Sequence, residues 1–421
     1  MLVPQFPALT MLSSICCLGF RSGGKQINIG KFRHALPHSA GNWLCRRRAR
    51  RAAIICAFSY STARIVRQRW KGGAGRRRQH GPIDPKPDNV TIVDLGSSPP
   101  KVVAEIKVAT SVVGPPSSVA VARDESFALV TAATKIDPND AKKVAPDNKV
   151  SVIDLKASPP AVIAVVESGA GAAGAALNPD GNLALVANRS EGTVSVFTIA
   201  NKALTAVGKV QLGDAKSGPS AIAFTPDGKT ALVTRDGDNK ISVLNVEGSK
   251  VEHAKRDVHA GLRPYPLDIS SQGDVAAVAN IGIGGGDADT LSLISLKGGP
   301  ARVIDTVSVG QTPEGLKMSP DGQYVAVTVM NGSNKPKSSP FFNDNGLVQI
   351  YAVSGGKLAK VAEAKVGHWC QGAAWSKDNK TVLVGCMVEN ELQAFSFDGK
   401  ELKSSGAIKI GAGSGGMGTA R

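Results

Sequence analysis

The chain has 421 residues and a formal net charge of +16. This charge is unevenly spread, because residues 1–83 carry 16 of the 50 Lys and Arg residues and none of the 34 Asp and Glu residues. Residues 84–421 are therefore electrically balanced, which argues against nucleic-acid binding by this larger part. No run of 18 apolar residues is present, so we expect no transmembrane helix.

Residues 1–83 form a basic, acid-free segment without any repeat. Its arginine runs at 46–51 and 76–78 are compatible with binding to nucleic acid or anionic lipid, or with organelle import. Its composition favours a disordered segment or a wrongly assigned translation start. The apolar stretch 1–20 lacks the leading basic residue of a clear signal peptide.

Residues 84–421 repeat one pattern, most clearly in GPSAIAFTPDGKTALVTRDGDNKISVLNV at 218–246. Short β-branched runs such as ALVTR predict strands, and Pro-Asp-Gly predicts the tight turns between them. Four short strands recurring every 45 to 57 residues indicate a β-propeller. The first residues of the innermost strands are predicted at Pro116, Ala172, Pro219, Pro264, Pro313 and Cys370.

Two incomplete units stand at the ends of residues 84–421. The half-unit at 89–108 precedes the first full repeat, and a degenerate innermost strand lies near Ser414. Together they predict a seventh blade shared by the two chain ends. Residues 67–87 lack apolar alternation, so we expect this blade to lack one well-formed strand and to expose strand edges. The predicted fold is all-β: a seven-bladed propeller of four-stranded antiparallel blades with an incomplete closing blade.

The repeat resembles that of YVTN-repeat propellers in the lactonase-like, seven-bladed superfamily. Degenerate copies of the naming motif stand at Leu185-Val186-Ala187-Asn188, Leu232-Val233-Thr234-Arg235 and Val278-Ala279-Asn280. The resemblance covers residues 86–421 and implies a periplasmic or secreted protein. Some members of the superfamily are enzymes or carry redox centres, so it also implies a lactonase-like hydrolase as one possible activity.

Cys370 and Cys386 are the two cysteines of the propeller. They are predicted to lie almost opposite each other in the first and second strands of one blade. A disulfide suits an exported protein, whereas two small buried thiols suit any compartment. The sequence leaves both possibilities open.

The binding face is predicted from the lengths of the loops. In a four-stranded blade, the loop between the second and third strands lies on the same face as the loop that leads into the next innermost strand. The loops that lead into the innermost strands surround the mouth of the central channel. The longest loops between second and third strands lie at 134–148, 282–289 and 331–345. Such length variation on one face of a repeat protein indicates a binding surface for a small molecule or a protein partner.

Chemically versatile residues cluster near this mouth in three consecutive blades. Arg263 is a candidate anion anchor, and Glu314 or His368 a candidate general base. Ordinary polar lining of a water-filled channel is the competing interpretation. The predicted ligand-binding residues are Arg263, Tyr265, Gln311, Glu314, His368, Trp369 and Gln371.

Evidence for a cofactor is sparse in this sequence. Asp287 and Asp289 follow three glycines and offer oxygen ligands for calcium, although a polar turn is the simpler interpretation. The propeller contains no CxxC or CxxCH motif, which argues against zinc and covalently bound haem.

Three functions remain open, because fold alone does not select among them. The first is a non-catalytic binding or interaction module that presents its channel face to a small molecule or a protein. The second is a lactonase-like hydrolase, which the single clear axial carboxylate, Glu314, disfavours. The third is an accessory subunit of a quinoprotein-type redox system.

Overall fold

The computed structural model describes the backbone of residues 52–58 and the structure of residues 88–112 and 115–420. These residues form β-strands and connections, and no helix among them is long or apolar enough to span a membrane. The strands assemble into seven four-stranded antiparallel sheets, as predicted for a seven-bladed propeller.

The strands are numbered in chain order, and each blade runs from its innermost to its outermost strand. The closing blade contributes β1 (Ala52–Phe58), β2 (Asn89–Asp94) and β3 (Lys101–Lys107). Blade 1 comprises β4 (Val119–Val121), β5 (Phe127–Asp137), β6 (Asp140–Asp154) and β7 (Ala161–Glu167). Blade 2 comprises β8 (Ala172–Leu177), β9 (Leu183–Asn188), β10 (Thr193–Ala200) and β11 (Ala203–Gln211). Blade 3 comprises β12 (Pro219–Phe224), β13 (Thr230–Arg235), β14 (Lys240–Glu247) and β15 (Lys250–Val258).

The remaining strands complete the ring. Blade 4 comprises β16 (Pro264–Ile269), β17 (Val275–Asn280), β18 (Asp289–Ser295) and β19 (Arg302–Gly310). Blade 5 comprises β20 (Pro313–Met318), β21 (Tyr324–Val329), β22 (Gly346–Ser354) and β23 (Lys357–Val366). Blade 6 comprises β24 (Cys370–Trp375), β25 (Thr381–Cys386), β26 (Glu391–Phe397) and β27 (Leu402–Lys409). The innermost strand of the closing blade is β28 (Gly413–Thr419).

The core consists of apolar clusters between neighbouring blades. Each blade faces two neighbours, and seven clusters of buried residues account for the seven interfaces within the described part of the chain. Val90 of the closing blade packs with Val130 of blade 1, and Met417 packs with Leu383 of blade 6. Burial of apolar surface at every interface therefore joins the two chain ends into a closed ring.

The prediction of an incomplete closing blade is wrong. Strand β1 pairs with β2 on one side and with β28 on the other, so the blade has four strands. The missing strand comes from AAIICAF at 52–58, not from the segment directly before Asn89, and it belongs to the same compact unit as the propeller. Strand β1 lies within the segment predicted to be disordered, and the rest of that segment, residues 1–51 and 59–83, lies outside the described part.

The long connections on the predicted binding face take two forms. Residues 134–148 continue the pairing of β5 and β6 and are mostly an extended hairpin, not a loop. The segments 282–289 and 331–345 are largely irregular and contact each other, because Lys335 Nζ donates to the carbonyl of Gly284 at 2.7 Å. Blades 4 and 5 thus carry a joined, loop-rich rim.

Cys370 and Cys386 form a disulfide, with directly paired positions in β24 and β25 and an Sγ–Sγ distance of 2.02 Å. We expect the linked peptides to appear in a non-reducing peptide map and to separate on reduction. Replacing both cysteines by Ala should lower the free energy of unfolding by roughly 2–3 kcal/mol, because the bridge closes a loop of about 15 residues in the unfolded chain. Denaturation of the double variant beside reduced wild type provides the control, and a map without the linked peptides would contradict the assignment.

Candidate functional site at the channel mouth

Irregular pairing at the beginning of the innermost strands shapes the mouth of the channel. The register shifts between Pro219 and Ile222 in β12, and again between Pro264 and Leu267 in β16. In β20 the single extra residue is Glu314. Such β-bulges redirect side chains that a regular ladder would place between the sheets. The same region of four consecutive blades supplies Ser220, Tyr265, Glu314 and Gln371.

Two arginines share one buried carboxylate beside these residues. Arg189 follows β9, Asp236 follows β13 and Arg263 precedes β16. Arg189 Nη2 donates to Asp236 Oδ2 at 2.8 Å, and Arg263 Nη2 donates to the same oxygen at 3.0 Å. The Asp236 side chain is only 2% exposed, whereas the guanidinium-bearing side chains are 32% and 37% exposed. The carboxylate therefore fixes two cations that keep a face open to solvent.

Additional contacts hold this ion cluster in place. Ser220 Oγ donates to Asp236 Oδ1 at 3.1 Å, and Arg189 lies 5.6 Å from the centre of the Tyr265 ring. Burial alone would raise the pKa of Asp236, but hydrogen bonds and charge from Arg189 and Arg263 hold it below its usual range. The cluster of one anion and two cations carries a net positive charge.

Glu314 is the second carboxyl group of the mouth and differs from Asp236 in its environment. Its side chain is partly exposed and accepts a hydrogen bond from the Gln371 amide. Burial raises the pKa of Glu314 to about 7, although Gln371, Arg263 and Arg189 oppose the shift. At neutral pH this carboxyl group can therefore both accept and release a proton, which general acid–base catalysis requires.

His368 belongs to a separate pair on blade 6. Its Nδ1 lies 2.7 Å from Glu389 Oε1, and its backbone nitrogen donates to the same carboxylate at 3.0 Å. The neighbouring Trp369 backbone nitrogen donates to Ser333 Oγ at 3.0 Å, which ties this turn to the 331–345 loop. These contacts give His368 and Trp369 a role in shaping the rim.

Gln311 also supports the rim, because its backbone carbonyl accepts a hydrogen bond from the backbone nitrogen of Asn331 at 3.0 Å. The structure thus brings Arg263, Tyr265, Glu314 and Gln371 together, while Gln311, His368 and Trp369 organise the surrounding loops.

The sequence interpretation missed Arg189, Asp236 and Ser220. Arg189 and Asp236 each stand one residue beyond a second strand, at positions that Ile281 and Met330 occupy in the next two blades. A comparison of this position across the repeats would have singled out two charged residues among apolar ones.

The calcium prediction concerns Asp287 and Asp289. Asp289 Oδ2 accepts a hydrogen bond from the backbone nitrogen of Thr312 at 2.8 Å, and burial raises its pKa, with the Asp287 charge as a smaller cause. Among the described residues, the group of three potential metal ligands is instead Cys370, Cys386 and Glu389, whose two sulfurs are joined in the disulfide. Calcium binding between the two aspartates stays a prediction.

Comparisons with known proteins agree with this architecture. Residues 149–284 match the family model described as Lactonase, 7-bladed beta-propeller. No curated protein matches the chain. The resemblance to lactonase-like propellers is therefore confirmed at the level of fold and repeat.

Solved structures show the same fold at low identity. A putative 6-phosphogluconolactonase from Bacteroides fragilis is 19% identical, with a TM-score of 0.63 over 87% of this chain and 97% of that one. The periplasmic gluconolactonase of Pseudomonas aeruginosa is 17% identical, with a TM-score of 0.60 over 87% and 98%. Kuenenia stuttgartiensis hydrazine synthase is 22% identical, with a TM-score of 0.53 over 69% and 79%.

Proposed function

Starting from a seven-bladed propeller of the lactonase-like type, we propose that the channel mouth hydrolyses a lactone of a small polar acid, of the sugar-lactone class. The observation that carries this proposal is Glu314, a partly exposed carboxyl group with a pKa of about 7 beside two guanidinium groups. The gluconolactonase and phosphogluconolactonase names of the structural neighbours support the choice of substrate class.

The proposed reaction begins with the ionised Glu314 carboxylate. It takes a proton from water while the water oxygen adds to the lactone carbonyl carbon. The tetrahedral intermediate then collapses, the ring C–O bond breaks, and the leaving alkoxide receives the proton from Glu314. One lactone and one water thus give one hydroxy acid, and Glu314 returns to its starting state.

The two arginines supply the electrostatic part of this reaction. Negative charge develops on the carbonyl oxygen in the transition state, and donors held in place before the reaction stabilise it best. Asp236 provides this rigidity, because it fixes both Arg189 and Arg263. Gln371 orients the base through its hydrogen bond to Glu314.

Arg263 is the better candidate for recognising an anionic substituent, because it is the more exposed arginine. Replacing Arg263 by Ala should raise KM for 6-phosphogluconolactone by roughly 10- to 100-fold, since a charge-assisted hydrogen bond contributes about 1.5–3 kcal/mol. The KM for gluconolactone, which lacks the phosphate, should change much less. Initial-rate measurements on the full chain with both lactones test this difference.

The matched control for that experiment is Arg256→Ala, which removes an exposed arginine from the outer strand β15. Its KM values should equal those of the wild type. Equal KM changes for both lactones in Arg263→Ala would show that Arg263 does not select the phosphate. Absence of lactone hydrolysis by the wild type would refute the proposed function itself.

Ligand binding without turnover is the second candidate function. It is favoured by the extent to which the charged groups are already paired, since Asp236 engages both arginines and Gln371 engages Glu314. It predicts saturable binding of gluconate or a lactone without product formation, measured by calorimetry and by product assay on the same samples.

The disulfide also supports our proposal of a periplasmic or secreted location, because such bridges persist in oxidising compartments. A protein partner at the channel face and an accessory role in a quinoprotein-type redox system stay predictions.

A further inference from the structure

A cavity occupies the half of the central channel that lies away from the mouth. It has a volume of about 550 Å³ and reaches the turns between the first and second strands, on the face opposite the channel mouth. Its wall is largely apolar and includes Ile222, Phe224, Leu267, Met318 and Trp375. Volumes of this size are typical of small-molecule sites, which combine apolar walls with a few polar groups.

A charged pair on the innermost strands interrupts this apolar wall, and three further charged residues, Arg123, Glu125 and Lys377, line the cavity at its turns. The residue before the last position of each innermost strand in blades 1, 2, 3 and 6 is alanine, namely Ala120, Ala176, Ala223 and Ala374. Blades 4 and 5 have Asp268 and Lys317 at the same position. Alanine at this position in blades 1, 2, 3 and 6 shows that packing alone does not require a charged side chain here.

The two members of the pair differ in the contacts they make. Asp268 is 5% exposed, and its Oδ2 accepts a hydrogen bond from the backbone nitrogen of Met318 at 2.9 Å. Lys317 Nζ lies 3.7 Å from the same oxygen, which is beyond hydrogen-bonding distance, and its side chain is 18% exposed. Asp268 therefore braces neighbouring blades, whereas the Lys317 amine keeps hydrogen-bonding capacity on the cavity wall.

The amine is also poorly solvated. Burial lowers the pKa of Lys317 to about 8, because the charged form loses hydration in the channel. A ligand atom that accepts a hydrogen bond from this amine would restore part of the lost solvation.

We propose that this cavity binds a neutral, largely apolar small molecule whose carbonyl oxygen accepts a hydrogen bond from Lys317. The apolar wall favours a ligand with a largely apolar body, and the Lys317 amine can donate a hydrogen bond to the one polar group of that ligand. A carbonyl adds no charge, whereas an anionic head would lie next to the Asp268 carboxylate. This site is independent of the proposed lactone hydrolysis, because its lining does not include Glu314 or Asp236.

The test uses 6-propionyl-2-(dimethylamino)naphthalene, a neutral aromatic ketone whose fluorescence shifts to the blue in apolar surroundings. Titration into the full chain should give a saturable blue shift. Lys317→Met keeps the apolar stem and removes the donor, so its Kd should rise about tenfold. Lys229→Met removes an exposed lysine that lies outside the cavity lining, and its Kd should equal that of the wild type.

A second variant and a second probe make the result decisive. Ser271→Trp adds bulk at an exposed position of the cavity rim and should raise the Kd more than tenfold. 8-Anilinonaphthalene-1-sulfonate, an anion of similar size, should bind more weakly than the ketone. Non-saturable ketone fluorescence, unchanged binding in both cavity variants, or tighter Lys317-dependent binding of the anion would each overturn the proposal.

Discussion

Replacing Glu314 by Gln should lower kcat for lactone hydrolysis by roughly 100- to 10,000-fold, the usual contribution of a general base. The amide keeps the shape of the side chain and an oxygen that can accept the Gln371 hydrogen bond, but it cannot take a proton from water. We expect KM to change little, because Arg189 and Arg263, which we propose to contact the substrate, remain in place. Initial rates at pH 8, corrected for spontaneous lactone hydrolysis, measure the effect.

Glu389→Gln is the matched control for this variant. It removes a carboxylate on the same face that pairs with His368 instead of facing the arginine cluster. Its kcat should stay within about threefold of the wild type, as for a substitution outside the reacting groups. A large loss of kcat in Glu389→Gln, with no loss in Glu314→Gln, would instead assign the general base to the His368–Glu389 pair.

Replacing Asp236 by Asn should lower the free energy of unfolding by about 2–4 kcal/mol. Loss of one partner from a buried ion pair typically costs about 3–5 kcal/mol, because it leaves a charge uncompensated. We reduce this range because Arg189 and Arg263 are each about one-third exposed to solvent, which screens them. Urea denaturation at pH 7 measures the difference.

The pH dependence of that difference provides an internal check. Because the pKa of Asp236 is lowered in the folded protein, its ionisation stabilises the fold above the unfolded pKa of about 4. This stabilisation is lost as the pH falls through the lowered pKa that Asp236 has in the folded protein. The difference in the free energy of unfolding between wild type and Asp236→Asn should therefore narrow below pH 4.

Asp180→Asn, a substitution at an exposed turn, is the control. It should change the free energy of unfolding by less than about 0.5 kcal/mol, and an equal effect of both variants would contradict the account.

Much of the fold is predictable because the repeat encodes local structure directly. Strands β12, β16 and β20 begin at the prolines that the repeat spacing identifies, and Pro-Asp-Gly turns separate the first two strands in three blades. Strand β1 of the closing blade escaped prediction for a different reason, although the sharing of this blade by the two chain ends was predicted. Its strand β1 is separated from β2 by residues 59–88, so the uniform spacing of the other blades does not apply there.

The site is less predictable, because its chemistry depends on contacts between blades. Arg263 and Glu314 stand out at the beginnings of innermost strands, where the repeats can be compared by eye. The pairing of Arg189 with Asp236 joins residues 47 positions apart on neighbouring blades, and no short motif marks it. The raised pKa of Glu314 likewise arises from burial in the assembled ring, which the local sequence does not reveal.

The pH dependence of kcat/KM for gluconolactone hydrolysis by the full chain tests the central claim most directly. Glu314 acts as a base only when ionised, and burial raises its pKa to about 7. The rate constant should therefore rise roughly tenfold per pH unit below 7, level off above it, and lose this inflection in Glu314→Gln. A wild-type profile that stays flat or falls as the pH rises through 7 would contradict the assignment of Glu314 as the catalytic base.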